Sequence, residues 1–375
     1  MRVPASLNAG DRATSFGAFL HGANAYWPLE SETYRDAPIF VDQADKRAFW
    51  NSRADLVGRV NDEVRLIRRS DQYVSMSRFS EGTVFDRSGA SKGFGYVAST
   101  PSVPWLSRDE DGLWIGEQWL NAAPRFEQSC LVFFNGNLHN YYHWMVEGML
   151  SLDVVARVIG PASDILIVLP KSMDMNAVFD HRRSLPAVGL DGYRVVEVAA
   201  DLIHVKEAIW ADSGDLIKNM PADCIRDLQR RIAAKYSRFR GPRNKRLLVA
   251  RRGPTRMIDN IGAVEGFLNQ HGFETVYLEG MTVADQIMLF QQAEFIVGPH
   301  GAGLSNLLFC EPGTKVIEFM PIAEVRPFFW LISEKLDLIH GMQFCAAAAG
   351  EGFQASVTVD IGKLQKLYRM IDAYC

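Results

Sequence analysis

Three short stretches of the chain carry the residues best suited to chemistry. The first is Gly298-Pro-His300-Gly301-Ala302-Gly303-Leu-Ser305-Asn306, which follows the apolar run Phe295-Ile-Val. A strand that runs into a glycine-rich turn and then a helix makes an anion cradle. Glycines let the backbone approach a ligand closely, and the new helix offers unpaired N–H groups and the positive end of its dipole. On this reading the free N–H groups of the new helix face an anion such as a pyrophosphate, and His300 adds a donor to it. Ser305 or Asn306 caps the helix or touches the same ligand. The competing reading is a tight strand-to-helix turn whose glycines only save space. The spacing is not G-x-G-x-x-G, so no dinucleotide fingerprint is met.

Two neighbouring features favour the cradle. Arg251-Arg252-Gly-Pro-Thr-Arg256 follows the apolar run Leu247–Ala250, and a guanidinium fork suits phosphate oxygens. Arg252 and Arg256 are the pair expected to grip one diphosphate and neutralise it as a leaving group. Glu318 ends the run Lys315-Val-Ile-Glu318, at the carboxyl end of an expected strand. Ligands bind beyond such ends in open parallel sheets, so Glu318 is expected to hold ribose or sugar hydroxyls.

The third stretch is Asn140-Tyr-Tyr-His143-Trp-Met-Val-Glu147. Residues four apart share one face of a helix, so one of His143 and Glu147 can serve as general base while the other orients it. A plain packing or capping pair is the alternative. There is no H-E-x-x-H, no Walker lysine motif and no G-x-S-x-G elbow. No metal site is expected, because Asp109-Glu-Asp111 is an isolated turn and the five cysteines contain no C-x-x-C pair.

The elements that must position these residues follow from periodicity. Of the 375 residues 48% are hydrophobic, enough to fill two cores, and a net charge of −4 argues against nucleic acid as a partner. Residues 1–130 read as an N-terminal extension, strand-rich from about residue 36 onward. From Leu131 short apolar runs alternate with helical periods, which is the signature of a doubly wound α/β domain. The turn-rich segment near Phe239–Lys245 marks a boundary, giving a first Rossmann-like domain over 131–240 and a second over 241–360. A last helix over 361–375 is expected to pack back on the first domain. With no apolar leader, no membrane-length run and scattered cysteines, a cytoplasmic location is expected.

In these blocks the chain resembles glycosyltransferase family 61. The resemblance rests on Asn140-Tyr-Tyr-His143-Trp-x-x-Glu147, on Arg251-Arg252…Arg256…Asn260, and on Gly298-Pro-His300-Gly301-Ala-Gly303-Leu-x-Asn306…Pro312-Gly313…Glu318. Together these span roughly half the chain. The resemblance implies an α/β fold of GT-B type, two Rossmann-like domains facing a cleft. It implies transfer of a sugar from a nucleotide-sugar donor to a glycan hydroxyl, inverting, with no metal and no other cofactor. Arg252, Arg256 and His300 would hold the diphosphate, Glu318 would lie near the donor's ribose or sugar, and His143 or Glu147 near the acceptor. Ile261 stands where the family often carries an acid. The missing anchor makes a bacterial enzyme of surface-polysaccharide synthesis the better analogy, with a lipid-linked acceptor and a peripheral place at the inner membrane face as compatible settings. The rival expectation is a non-catalytic nucleotide- or glycan-binding protein of the same fold.

Overall fold

Short, nearly continuous runs of Ile, Leu and Val become buried parallel strands, as their composition requires. The computed structural model describes residues 24–27, 38–52, 64–77, 82–87, 91–92, 103–110, 112–132, 138, 140–159, 164–171, 181–212, 216–236, 241–253, 255–322, 325–349 and 355–374. Most of the expected lead-in over residues 1–35, most of the polar loop Asn135–Asn140 and most of the expected helix over 174–185 lie outside them. The chain divides into two units. One comprises residues 1–28, 62–175 and 180–216; the other comprises 29–61, 176–179 and 217–375. Both are α/β and both are built on parallel strands.

The first unit carries strands β1 (Asn24–Trp27), β2 (Val64–Ser75), β3 (Val84–Phe85), β4 (Ser91–Lys92), β5 (Leu106–Asp109), β6 (Gly112–Ile115), β7 (Arg125–Leu131), β8 (Leu166–Pro170), β9 (Arg194–Val198) and β10 (Leu202–Asp212). Its main sheet runs β4-β3-β2-β10-β7-β8-β9, with β1 on β2. β10, β7, β8 and β9 are mutually parallel, while β1 to β4 join antiparallel. β2 therefore lengthens the Rossmann-like sheet. It pairs with β10 from Arg65–Asp212 to Ser75–Leu202, and Ile67 and Val74 share a core with Val132, Leu166 and Ile203. A sequence reading sees only a separate strand-rich region there, because the pairing is with a strand more than a hundred residues away. The chain order reverses between β7 and β10, the place where open α/β sheets leave a crevice. The helical segment bearing His143 follows β7.

The second unit carries β11 (Lys245–Ala250), β12 (Phe273–Tyr277), β13 (Ala293–Pro299), β14 (Lys315–Pro321), β15 (Ile339–Ala349) and β16 (Ser356–Thr358), in the order β12-β11-β13-β14-β15-β16. The first five are parallel and β16 is antiparallel. Here the reversal falls between β11 and β13.

The unit begins earlier than the turn-rich boundary suggests. Helix Ala222–Tyr236 is part of it: Gln229 Nε2 donates to the Cys310 carbonyl (2.9 Å), and Arg226 pairs with Asp337 (2.6 Å). Helix Gln43–Ser52 also belongs here, with Phe49 edge-on to Trp330 at 5.5 Å between ring centroids. An amphipathic pattern states that a helix has an apolar face but not which core receives it. The same holds for helix Ile361–Asp372, whose Leu364, Leu367, Tyr368 and Ile371 fill the core of this second sheet. Asp360 caps it by accepting from the Lys363 amide at 2.9 Å.

Gly341 on β15 is what lets that helix lie close. A Cβ there would overlap Ile371 Cδ1 and come within 3.1 Å of Leu367 Cδ1. Gly341→Ala is expected to destabilise by about 1–3 kcal/mol through overpacking, read as a lower melting temperature. An unchanged melt would mean that the helix is free to move outward.

Candidate functional site

The three glycines of the 298–303 turn prove to do different work. A Cβ on Gly298 would lie 2.9 Å from the Val249 carbonyl, and one on Gly303 would lie 3.0 Å from Leu278 Cδ1. These two save space beside β11, as the competing reading of the turn supposes. Gly301 differs, since a Cβ there would meet Arg251 Nη1 at 2.9 Å and Arg256 Nη1 at 3.7 Å. It lets two guanidiniums converge on the turn at the β11/β13 reversal. No backbone hydrogen bond engages the amides of Gly301, Ala302 or Gly303 among the described residues. The segment that follows is a 3-10 helix, Ala302–Phe309, rather than an α-helix. It opens with the Leu304 amide on the Gly301 carbonyl at 2.9 Å.

The arginine pair is Arg251 with Arg256, where the sequence suggested Arg252 with Arg256. Side chains alternate at the end of a strand, so only one of two adjacent arginines turns toward Gly301. The other, Arg252, lies over the Tyr277 ring (4.2 Å to the centroid), and its amide donates to Glu279 Oε1 at 3.1 Å.

Arg251 Nη1 is buried with no hydrogen-bond acceptor among the described residues. Burial lowers its pKa, against the opposing charge of Glu279. Arg256 is pushed down to about 10, first by burial and then by Arg251. Both stay charged at neutral pH. Arg256 also sits in left-handed backbone, φ 57°, a conformation that costs a non-glycine residue on the order of 1 kcal/mol. Two converging, partly desolvated cations repel each other until an anion arrives.

Four other expected residues have interior places. Ser305 and Asn306 are fully buried. Asn306 Nδ2 donates to Gln286 Oε1 (2.8 Å) and to the Gly303 carbonyl (3.1 Å), tying the turn to helix Val283–Gln291. Glu318 is also fully buried. Its two oxygens meet His300 Nδ1 at 2.5 Å and His340 Nε2 at 3.1 Å, which leaves it no reach to a ribose or sugar. It serves His300 instead. His300 packs on Phe329 (4.9 Å between centroids) and keeps Nε2 unengaged by any described residue.

In the first unit His143 Nδ1 lies 2.7 Å from Glu147 Oε2, with the two side chains 29% and 25% exposed. The pair rides on a π-helical stretch, His143–Gly148, that leads into helix Met149–Ile159. Such stretches mark functional sites with some frequency. Asn140 Oδ1 accepts from the Tyr142 amide (2.9 Å), and Trp144 Nε1 is anchored on Ser184 Oγ (2.9 Å). Glu147 takes Nδ1, so His143 Nε2 is the nitrogen open to a substrate proton, the arrangement of an oriented general base.

Sequence reasoning passed over Glu279, His340 and Ser333. Glu279 had a signal, a carboxylate just past the end of β12. His340 had none, because only the β14–β15 register, Val316 beside His340, brings it to Glu318. Cys130 and Cys345 are buried thiols pushed up to about 12 by desolvation, and Cys310 is pushed up further for the same reason, so none of them is a nucleophile.

No helix among the described residues is long and apolar enough to cross a membrane. Residues 141–317 match the family model described as Glycosyltransferase 61. That stretch contains His143, Glu147, Arg251, Arg256 and His300. A β-1,2-xylosyltransferase, RCN11, of Oryza sativa subsp. japonica is 35% identical over 75 residues, 19% of this chain and 14% of that protein. A β-1,2-xylosyltransferase of Arabidopsis thaliana is 37% identical over 57 residues, 15% of this chain and 11% of that protein. The chain thus spans less than a sixth of the length of either relative. Both are plant proteins, so they lend nothing to the bacterial setting expected above. Together the family match and these relatives support a glycosyltransferase.

Proposed function

We propose that the protein transfers a sugar from a nucleotide-sugar donor to a glycan hydroxyl by direct, inverting displacement that needs no metal. The observation that carries the reading is the convergence of Arg251 and Arg256 on Gly301 at the β11/β13 reversal. The acceptor oxygen attacks the anomeric carbon while the bond from that carbon to the diphosphate oxygen breaks. His143 Nε2 takes the acceptor's proton, and Glu147 stabilises the imidazolium that results. Arg251, Arg256 and the 301–303 amides meet the charge growing on the diphosphate. The names of the two plant relatives favour a pentose, and UDP-xylose is the first donor to try. Assignment of the two units to the GT-B class, and a cytoplasmic polysaccharide setting, belong to the same proposal.

The test is release of nucleoside diphosphate from a panel of UDP- and GDP-sugars, with and without glycan acceptors. Acceptor-dependent release from one donor, with a product of opposite anomeric configuration, is the expected result. Tight diphosphate binding without any turnover would make the protein a binder and sink the enzymatic reading.

The π turn offers a second test. A Cβ on Gly148 would lie 3.2 Å from Trp144 Cε3 and 3.3 Å from the His143 carbonyl, so Gly148→Ala presses on the Trp144 ring and on the backbone of His143, which must give by a few tenths of an ångström. Turnover is expected to fall by about 10- to 100-fold, the scale set by small misplacements of a catalytic group, with diphosphate affinity unchanged. Wild-type turnover would mean that this local geometry is not needed.

A further inference from the structure

Asn260 closes the arginine block and stands at the start of helix Ile261–Leu268, where an asparagine ordinarily turns its side chain to the first helical amides. Here no side-chain hydrogen bond caps the helix. The side-chain amide goes to β16 instead. Asn260 Nδ2 donates to the Val359 carbonyl at 2.8 Å, and Asn260 Oδ1 accepts from the Val359 amide at 2.9 Å. Both halves of the side chain thus meet the N–H and the carbonyl of one residue. This rung continues a short parallel pairing. The Val357 amide donates to the Met257 carbonyl at 2.8 Å, the Asp259 amide donates to the Val357 carbonyl at 2.9 Å, and Ile258 bridges Val357. The Met257 amide also donates to Ser356 Oγ at 3.2 Å. At Asn260 the backbone turns into the helix and pairs no further, so the side chain supplies the last rung.

We propose that Asn260 is a positioning residue: by clamping residues 257–260 to β16 it holds the Arg256 guanidinium at Gly301. The inference rests on the donor-site reading above and adds to it how the second arginine of that site is placed. Arg251 directly follows β11, and the strand itself aims it. Arg256 lies out in the loop, in left-handed backbone (φ 57°), a conformation that persists only where the surroundings fix it. The next residue, Met257, is the first of the clamped stretch. β16 is a firm base for the clamp. It pairs with β15, and Val357 and Val359 are buried with Leu364 and Leu367. Asp360, which follows, caps helix Ile361–Asp372, and its carbonyl accepts from Gln343 Nε2 at 3.1 Å. With the clamp released, Arg256 is free to leave the left-handed region. Its Nη1 then loses the place beside Gly301, 3.7 Å from where a Cβ would stand.

The experiment is calorimetric titration of the full chain with UDP, and with GDP in parallel, carried into the millimolar range so that weakened variants are still read. Asn260→Ala loses no helix cap, because the side chain makes none. It is expected to weaken nucleotide binding by about 5- to 50-fold, within the span of couplings between residues of one network. Asn260→Ser, which can cap the helix on its own, cannot meet the Val359 amide and carbonyl together and should show the same loss. In the Arg256→Ala background neither substitution is expected to cost more than about twofold, because no guanidinium is left to place. A merely structural role would give the same loss in both backgrounds. Melting curves of the unliganded proteins separate these outcomes from misfolding. Nucleotide affinity unchanged in Asn260→Ala, or a loss as large with Arg256→Ala as without it, overturns the proposal. Wild-type affinity in Arg256→Ala, or no binding by any of the proteins, means instead that the donor-site reading fails and takes this proposal with it.

Discussion

Arg251→Ala is expected to lower kcat/KM by about 100- to 1,000-fold, the range found when one preorganised charge stabiliser is removed from a transition state. Arg252→Ala, one position along, is expected to cost only a few-fold. The contrast follows from where the two guanidiniums go. Arg251 Nη1 is buried beside Gly301 without an acceptor among the described residues, whereas Arg252 lies over Tyr277 at 4.2 Å. Arg251→Lys should recover part of the loss, because it restores a charge but not the planar fork. Steady-state kinetics with the preferred donor measure all three. Equal losses at 251 and 252 would mean that the loop acts as a diffuse basic surface.

His143→Ala is expected to lower kcat by about 100- to 10,000-fold, the usual contribution of a positioned general base, with the donor KM little changed. Glu147→Gln should cost less, because it leaves the imidazole but removes the carboxylate 2.7 Å from Nδ1 that stabilises its charged form. The split between kcat and KM is the informative readout. The pair sits on the connection after β7 in one unit, whereas the arginines sit on the loop after β11 in the other. A large rise in donor KM for His143→Ala would move that residue to the donor side and leave the base unidentified.

How far the sequence reveals this arrangement depends on the range of the interaction that decides each feature. Local apolar periodicity is enough for β11 to β15 and for helices Ile261–Leu268 and Val283–Gln291, because strand and helix periods are properties of a few neighbouring residues. The His143/Glu147 contact is equally local, being an i,i+4 pair, although the π-helical form of the stretch that carries it is not stated by the spacing. The choice of Arg251 over Arg252 needs the direction in which β11 ends, which composition does not state. The interior place of Glu318 needs the register of β14 with β15, since without His340 beside it a carboxylate at a strand end reads as a ligand group. Likewise β2 reads as a separate region until its ten-residue pairing with β10 is known. The assignment of helices Ala222–Tyr236 and Ile361–Asp372 to the second unit requires knowing which core their apolar faces meet.

The central claim is that the Arg251/Arg256/Gly301 turn receives the diphosphate of a nucleotide sugar. Thermal unfolding of the wild type and of Arg251→Ala, Arg256→Ala and Arg252→Ala against nucleoside diphosphates tests it most directly. A ligand at a hundred times its Kd adds about 2.7 kcal/mol to the native state alone, a shift well within reach of the method. At least one nucleoside diphosphate is expected to raise the melting temperature of the wild type and of Arg252→Ala, and to leave Arg251→Ala and Arg256→Ala unmoved. Stabilisation of all four proteins alike, or of none of them, would contradict it.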